Sequence, residues 1–102
     1  ERKTIEDAYG SIGHGRERFE REFERLSALR WAGLIIEATL QDFLTAPERS
    51  LVHPHAAIGT LISWSVHYNV HVIWAGSRKL GNRYCEKLLR QFWRHYCDSG
   101  KQ

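Results

Sequence analysis

The 102-residue chain contains no methionine, only two cysteines and only two prolines. Lacking a methionine at residue 1, it is expected to be a processed chain or a piece of a longer one. Cysteine is too scarce for a disulfide scaffold. Cys85 and Cys97 fall on one expected helix, separated by about 18 Å at 1.5 Å per residue, which is beyond bridging. Free thiols suit a reducing compartment. No CxxC and no His/Cys spacing occurs, so zinc has no signal. Of the six histidines, His53 and His55 flank a proline and His67 and His71 straddle a helix end, positions that suit caps and satisfied polar groups. The longest apolar runs, Leu34-Ile35-Ile36 and Val70 to Ala75, fall far short of the roughly 20 residues of a membrane helix, and no basic-then-apolar leader opens the chain. Neither a membrane nor a small-molecule organic cofactor is expected as a partner.

Apolar residues make up 42%, charged residues 26% and aromatics 12%, a globular composition at a length that supports one core. Charge is unevenly divided. Residues 1–51 hold eight Lys/Arg against ten Asp/Glu, whereas 52–102 hold seven against two. A basic C-terminal half suggests a polyanionic partner.

Asp7-Ala8-Tyr9 is read as the start of a short helix that ends at the Gly10 to Gly15 cluster, itself read as a loop. From Arg16 to Arg30, Phe19, Phe23, Leu26 and Leu29 recur four and three apart, an amphipathic helix with Glu17/Arg21 and Arg18/Glu22 on its outer face. Trp31 to Ala38 is a near-continuous apolar run, expected as a strand covered on both faces. Thr45 to Ser50 reads as a loop. Pro54 suits the first position of a helix carrying Ala57, Leu61, Trp64 and Tyr68, and Val70 to Ala75 a second buried strand closed by Gly76. Strand, helix and strand of these lengths make a right-handed crossover in a parallel sheet. Ser77 to Cys97 is expected as the longest helix. Lys79, Arg83, Lys87, Arg90 and Arg94 share one arc of it, and Leu80, Tyr84, Cys85, Leu88, Leu89, Phe92 and Tyr96 form the opposite arc, assigned to the core. Trp31, Trp64 and Trp74 are also assigned to the core, and Trp93 to the edge of its helix's apolar arc.

Glu1-Arg2-Lys3, with Asp7 four residues beyond the lysine, carries the chemistry. In metal-dependent phosphodiester cleavage a carboxylate holds a divalent cation, a lysine stabilises developing negative charge, and an arginine binds phosphate. On a strand, Glu1 and Lys3 project to the same face. By itself the tripeptide also suits a solvated charged terminus. The larger ordered set is Glu-Arg-Lys-x-x-x-Asp, a Gly/Ser loop, Gly15-Arg16-Glu17-Arg18-Phe19 through Leu26, the strand ending Ile35-Ile36-Glu37, and Ala57-Ile58-Gly59-Thr60-Leu61. This set resembles the XPF-type structure-specific nucleases, the ERCC4 nuclease domain superfamily, and within it the bacterial and phage standalone members. The resemblance runs from residue 1 to about residue 97, and the whole of 1–102 is taken as one domain of this type.

The resemblance implies an α/β restriction-endonuclease-like fold, a central sheet flanked by helices, from which the family's first strands are missing here. Those strands carry aspartates, one in a Gly-Asp pair, that complete the metal site. It further implies a divalent-metal DNA endonuclease of repair or recombination, acting on branched, flapped or forked duplexes, homodimeric, and located in the cytoplasm, at the nucleoid or in the nucleus according to host. Glu1 matches a ligand of Mg²⁺ or Mn²⁺, the Arg2 carbonyl a second ligand, and Lys3 the catalytic lysine. Arg2 would also support the site or the scissile phosphate. Asp7 would act from outside the ligand shell or cap the following helix, and Arg16 would bind phosphate. Glu37 stands where the family commonly has a glutamate, and is expected to pair with Arg21 or Arg25 rather than to act directly in catalysis. The stripe Lys79, Arg83, Lys87, Arg90 and Arg94 reads as a DNA-backbone contact or as a plain solvated face. Two other readings remain open: an inactive nuclease-fold subunit that binds DNA or dimerises, and a small binding domain with incidental terminal charges.

Overall fold

A computed structural model describes residues 1–47 and 50–98, the last three by backbone alone. Glu48 and Arg49 of the expected loop, the Tyr96 ring and the Cys97 thiol lie outside the described residues. Three strands, β1 (Arg2–Lys3), β2 (Gly33–Ile36) and β3 (His71–Trp74), form one parallel sheet in the order β1-β2-β3. Lys3 is in register with Ile36, and Ile36 with Trp74. The helices are α1 (Ile5–Ile12), α2 (Arg16–Ser27), α3 (Leu40–Phe43), α4 (Pro54–Tyr68) and α5 (Arg78–Phe92), the last continued by a π-helical turn over Trp93–Asp98. The sheet flanked by helices and the parallel β2-α4-β3 crossover are as the sequence implies.

Local chemistry explains where each helix starts. Thr4 caps α1, its hydroxyl accepting the Asp7 N–H at 3.2 Å, and Glu6 and Asp7 in the first turn favour the positive end of the helix. Gly10 and Ser11 therefore lie inside α1, and the expected six-residue loop shrinks to a turn at Gly13–Gly15. Arg16 opens α2. His53 caps α4 through Nδ1, which accepts the His55 N–H at 3.2 Å, with Pro54 at the first helical position. Asn69, at φ 55°, ends it in the left-handed region. The single turn α3, capped by Thr39, has no periodic signature in the sequence; it exists to insert Phe43 fully into the core.

The core lies on one face of the sheet, beneath α1, α2 and α4. Leu34 and Ile36 of β2 enter it with Phe23, Phe43, Leu61 and Val70, all essentially inaccessible. Phe19, Phe23 and Trp64 meet edge to face with centroids 5.2–5.6 Å apart. Burial pushes the Tyr9 phenol upward in pKa, and its hydroxyl donates to the Phe43 carbonyl. Of the other tryptophans, Trp74 packs against the core from a half-buried position, while Trp31 stacks on His71 at 5.0 Å rather than entering it. β3 is likewise half-buried, not fully covered.

α5 covers the other face, and here the expected core assignment fails. Only Gly81 is buried on α5, whereas Leu80, Tyr84 and Leu89 are 51, 45 and 64% exposed. The cause is size. Four-residue strands span about 13 Å, but fifteen helical residues span about 22 Å, so α5 meets the sheet near its start and then runs past it. Contact is close because Gly81 has no side chain: a Cβ there would lie 3.6 Å from Glu37 Cγ and 3.7 Å from both Arg2 Nη2 and Ile35 Cγ2.

Two outcomes test this packing. Gly81→Ala should be tolerated or stabilising by up to about 1 kcal/mol, because the methyl fits at ordinary contact distance and alanine favours helix, whereas Gly81→Leu should destabilise by about 1–3 kcal/mol; urea unfolding followed by circular dichroism distinguishes the signs. The Tyr68 hydroxyl donates to Glu20 Oε2 at 2.8 Å, and that bond to a carboxylate, then burial, pushes its pKa up to about 12. A phenol raised on folding stabilises fully below its unfolded value near 10 and loses that stabilisation as pH climbs to about 12. Melting curves of Tyr68→Phe should therefore fall below those of the parent at neutral pH and converge with them in strong base.

Candidate functional site

β1 brings the charged tripeptide to the sheet edge. The Ile35 N–H donates to the Glu1 carbonyl at 2.8 Å and the Glu37 N–H to the Lys3 carbonyl at 2.9 Å, while the Glu1 ammonium donates to the Gly33 carbonyl at 3.2 Å. In a parallel ladder alternate residues bond to the same neighbour, so the Arg2 N–H and carbonyl point away from β2 toward the open edge. Alternation also separates the side chains. Glu1 and Lys3 share the α1/α2 side of the sheet. Arg2 takes the α5 side.

Lys3 projects over the core. Its ammonium lies 5.0 Å from the centroid of the Phe19 ring of α2, a cation–π contact at the margin of the aromatic cluster. Beside it opens a cleft of about 380 Å³ between α1 and α2, lined by Lys3, Glu6, Asp7, Arg18, Phe19 and Glu22 among others. Asp7 is exposed in the first turn of α1. It does not cap that helix, because Thr4 does. Arg16 is exposed but held: Nη1 donates to Thr60 Oγ1 at 3.2 Å and the guanidinium lies 5.1 Å from the Trp64 ring centroid. Both contacts fix it on the α2/α4 side, the side that carries Lys3.

On the opposite face Arg2 Nη2 donates to Glu37 Oε2 at 3.4 Å, with the Glu37 side chain 11% exposed. Glu37 is thus paired with Arg2 and not with Arg21 or Arg25. Those arginines lie on α2, across the sheet from the face to which Glu37 alternates. Arg2 Nε is buried without a hydrogen-bond partner. Lys79, Arg83, Lys87, Arg90 and Arg94 are all exposed along α5 and its continuation, and Arg90 donates to Glu86 at 2.7 Å. The structure brings Lys3, Asp7 and Arg16 to one side of the sheet, and Arg2 with the α5 stripe to the other.

For a hard cation, β1 offers the exposed Glu1 carboxylate and the Arg2 carbonyl that the ladder leaves unused. Among the described residues, no three His, Cys, Asp or Glu side chains form a metal cluster. The donor type fits Mg²⁺ or Mn²⁺, which take oxygen ligands and keep several waters. Glu22, expected beside Arg18 on the outer face, is instead half-buried and forms no ion pair with it among the described residues, and Gly81 was not singled out in the sequence. Glu22, on α2, has a buried Oε2 with no hydrogen-bond partner; at 100° per residue it falls within about 60° of both Phe19 and Leu26, a signal that was legible. Gly81 gave none, since an isolated glycine in a helix does not reveal what approaches it.

Fold and site define an α/β domain with, among the described residues, a three-stranded parallel sheet that carries Glu1-Arg2-Lys3 at its edge. The family model for the ERCC4 domain matches residues 1–88, and the chain belongs to the ERCC4 domain family, a family of DNA nucleases. No curated protein and no solved structure gives a significant match.

The Arg2–Glu37 pair predicts a double-mutant result. Glu37→Leu leaves the partly buried guanidinium unpaired and should cost about 1–3 kcal/mol; adding Arg2→Met should recover part of that loss in chemical denaturation.

Proposed function

We propose that the chain is the nuclease domain of a divalent-metal-dependent DNA endonuclease acting on branched, flapped or forked duplexes in repair or recombination. What supports this reading is the Lys3 ammonium held over Phe19 at the cleft that Asp7 also lines, with strand alternation directing Glu1 to the same side. Glu1 and the Arg2 carbonyl would hold Mg²⁺ or Mn²⁺. When bound, the ion supplies a Lewis acid for phosphodiester hydrolysis. Lys3 donates to the charge that develops on the phosphoryl oxygens, and Phe19 keeps the ammonium beside the cleft. Asp7, on the same cleft, acts from outside the ligand shell. Arg2 supports the strand through Glu37.

Arg16, fixed by Thr60 and Trp64, binds a backbone phosphate, and Lys79, Arg83, Lys87, Arg90 and Arg94 hold a further stretch of duplex electrostatically. The open edge of β1 at Arg2 accommodates the additional strands of a restriction-endonuclease-like sheet, which would bring the remaining metal ligands. A second copy of the chain covers the exposed apolar residues of α5, making a homodimer. No helix among the described residues is long and apolar enough to cross a membrane, and we place the protein with its DNA, in the cytoplasm and nucleoid or in the nucleus according to host. A second reading, an inactive subunit that binds DNA or dimerises, is favoured by one fact: only two donors for a cation come from the strand.

The protein should cut a synthetic flap or fork in Mg²⁺ or Mn²⁺. Glu1→Gln or Lys3→Ala should slow cutting by about 10²-fold or more and leave DNA affinity unchanged; undiminished cutting by both variants overturns the enzyme reading. Reversing Arg83 and Lys87 to glutamate should flatten the salt dependence of binding by about two units of log–log slope. An unaltered slope returns the α5 stripe to a solvated face.

A further inference from the structure

α2 holds four arginines and four glutamates, and Arg16 is tied to Thr60 and Trp64. The other three, Arg18, Arg21 and Arg25, are exposed and make no ion pair or hydrogen bond among the described residues. Carboxylates are spaced to pair with them: Glu17 lies four residues before Arg21, the favoured order, and Glu22 four after Arg18. On α5 the same spacing does close, Glu86 with Arg90 at 2.7 Å. At 100° per residue Arg18, Arg21 and Arg25 fall within an arc of about 60°, on the side of α2 away from Phe19 and Phe23. Arg18 also lines the cleft that Lys3 and Asp7 line. The row therefore starts at that cleft and runs along α2 for about 10 Å, a length over which one DNA strand, at about 3.4 Å per phosphate, presents about three charges.

The next arc of the helix is acidic. Glu17, Glu20 and Glu24 fall within about 60° of one another, on the α4 side, where Glu20 accepts the Tyr68 hydroxyl at 2.8 Å. The positive strip is thus narrow and bordered by carboxylates. A duplex laid on it would bring its second backbone, a groove of about 6–12 Å away, over those acids, whereas a lone strand can follow the row without crossing them.

We propose that Arg18, Arg21 and Arg25 form a track for the phosphates of a single-stranded DNA arm running from the Lys3 cleft along α2; its link to cleavage rests on the nuclease reading of that cleft. Each guanidinium offers a fork of N–H donors to phosphate oxygens.

Binding is measured in EDTA, so that no cutting is needed. Bound oligothymidylate should protect Arg18, Arg21 and Arg25 from phenylglyoxal, read by mass spectrometry of the labelled peptides, while a blunt duplex of the same length should leave the three as reactive as in the free protein. Combining Arg18→Gln, Arg21→Gln and Arg25→Gln, which keeps helix propensity, should reduce the log–log salt slope for oligothymidylate by about two units with the circular dichroism spectrum unchanged. The labelling uses the unaltered chain and so decides the matter even if the triple variant fails to fold. Labelling of the row that oligothymidylate does not slow, or slows no more than the duplex does, overturns the proposal even where the protein cuts a flap. If the row is protected and the slope falls but no flap is cut in Mg²⁺ or Mn²⁺, the nuclease reading fails and the strand track stands.

Discussion

Two backbone hydrogen bonds, from Ile35 to the Glu1 carbonyl and from Glu37 to the Lys3 carbonyl, hold the charged tripeptide against β2 in parallel register. They are short-range, ordinary interactions, yet every property of the site depends on them. Because side chains alternate along a strand, this register sends the lysine toward the aromatic cluster and the arginine toward Glu37. Three adjacent charged residues of similar composition thereby acquire different surroundings. Lys3 touches an aromatic ring beside an open cleft, and Arg2 lies against α5, paired with a carboxylate through Nη2 alone.

The two faces of the sheet are covered unequally. α1, α2 and α4 make a dry layer in which Phe23, Phe43, Leu34, Ile36 and Leu61 are fully enclosed. α5 touches its face chiefly where Gly81 permits, then outruns the four-residue strands beneath it. The basic stripe and the exposed leucines both sit on that overhang. An amphipathic helix whose apolar arc is largely exposed is understandable when that surface is shared in the working assembly. That connects the α5 packing to the proposed second copy.

Much of this was legible in the sequence. The four-and-three spacing of Phe19, Phe23 and Leu26 declares α2, Pro54 opens α4, and the apolar runs around Ile35 and Val72 give the parallel strands. Motif order identified the family from the Glu-Arg-Lys-x-x-x-Asp segment and the arginine-rich helix after it. Local capping was underweighted: Thr4 starts α1 early enough to carry it through Gly10 and Ser11, where glycine suggested a loop. Tertiary contact was not visible at all. No periodicity distinguishes an amphipathic helix that packs along its length from one that packs at a single glycine, which is why Leu80, Tyr84 and Leu89 were misassigned to the core. The partner of Glu37 depended on which face β1 turns toward α5, a matter of register rather than of residue type.

That register has a consequence for how the site tolerates change over time. Were β1 to slide by one residue along β2, Lys3 would enter the slot against Glu37 and the guanidinium would swing out over Phe19. The charges would survive and the chemistry would not. Strand and cap abut directly, Lys3 being followed at once by Thr4, so a residue inserted between them should be purged strictly, and that abutment is the inherited quantity.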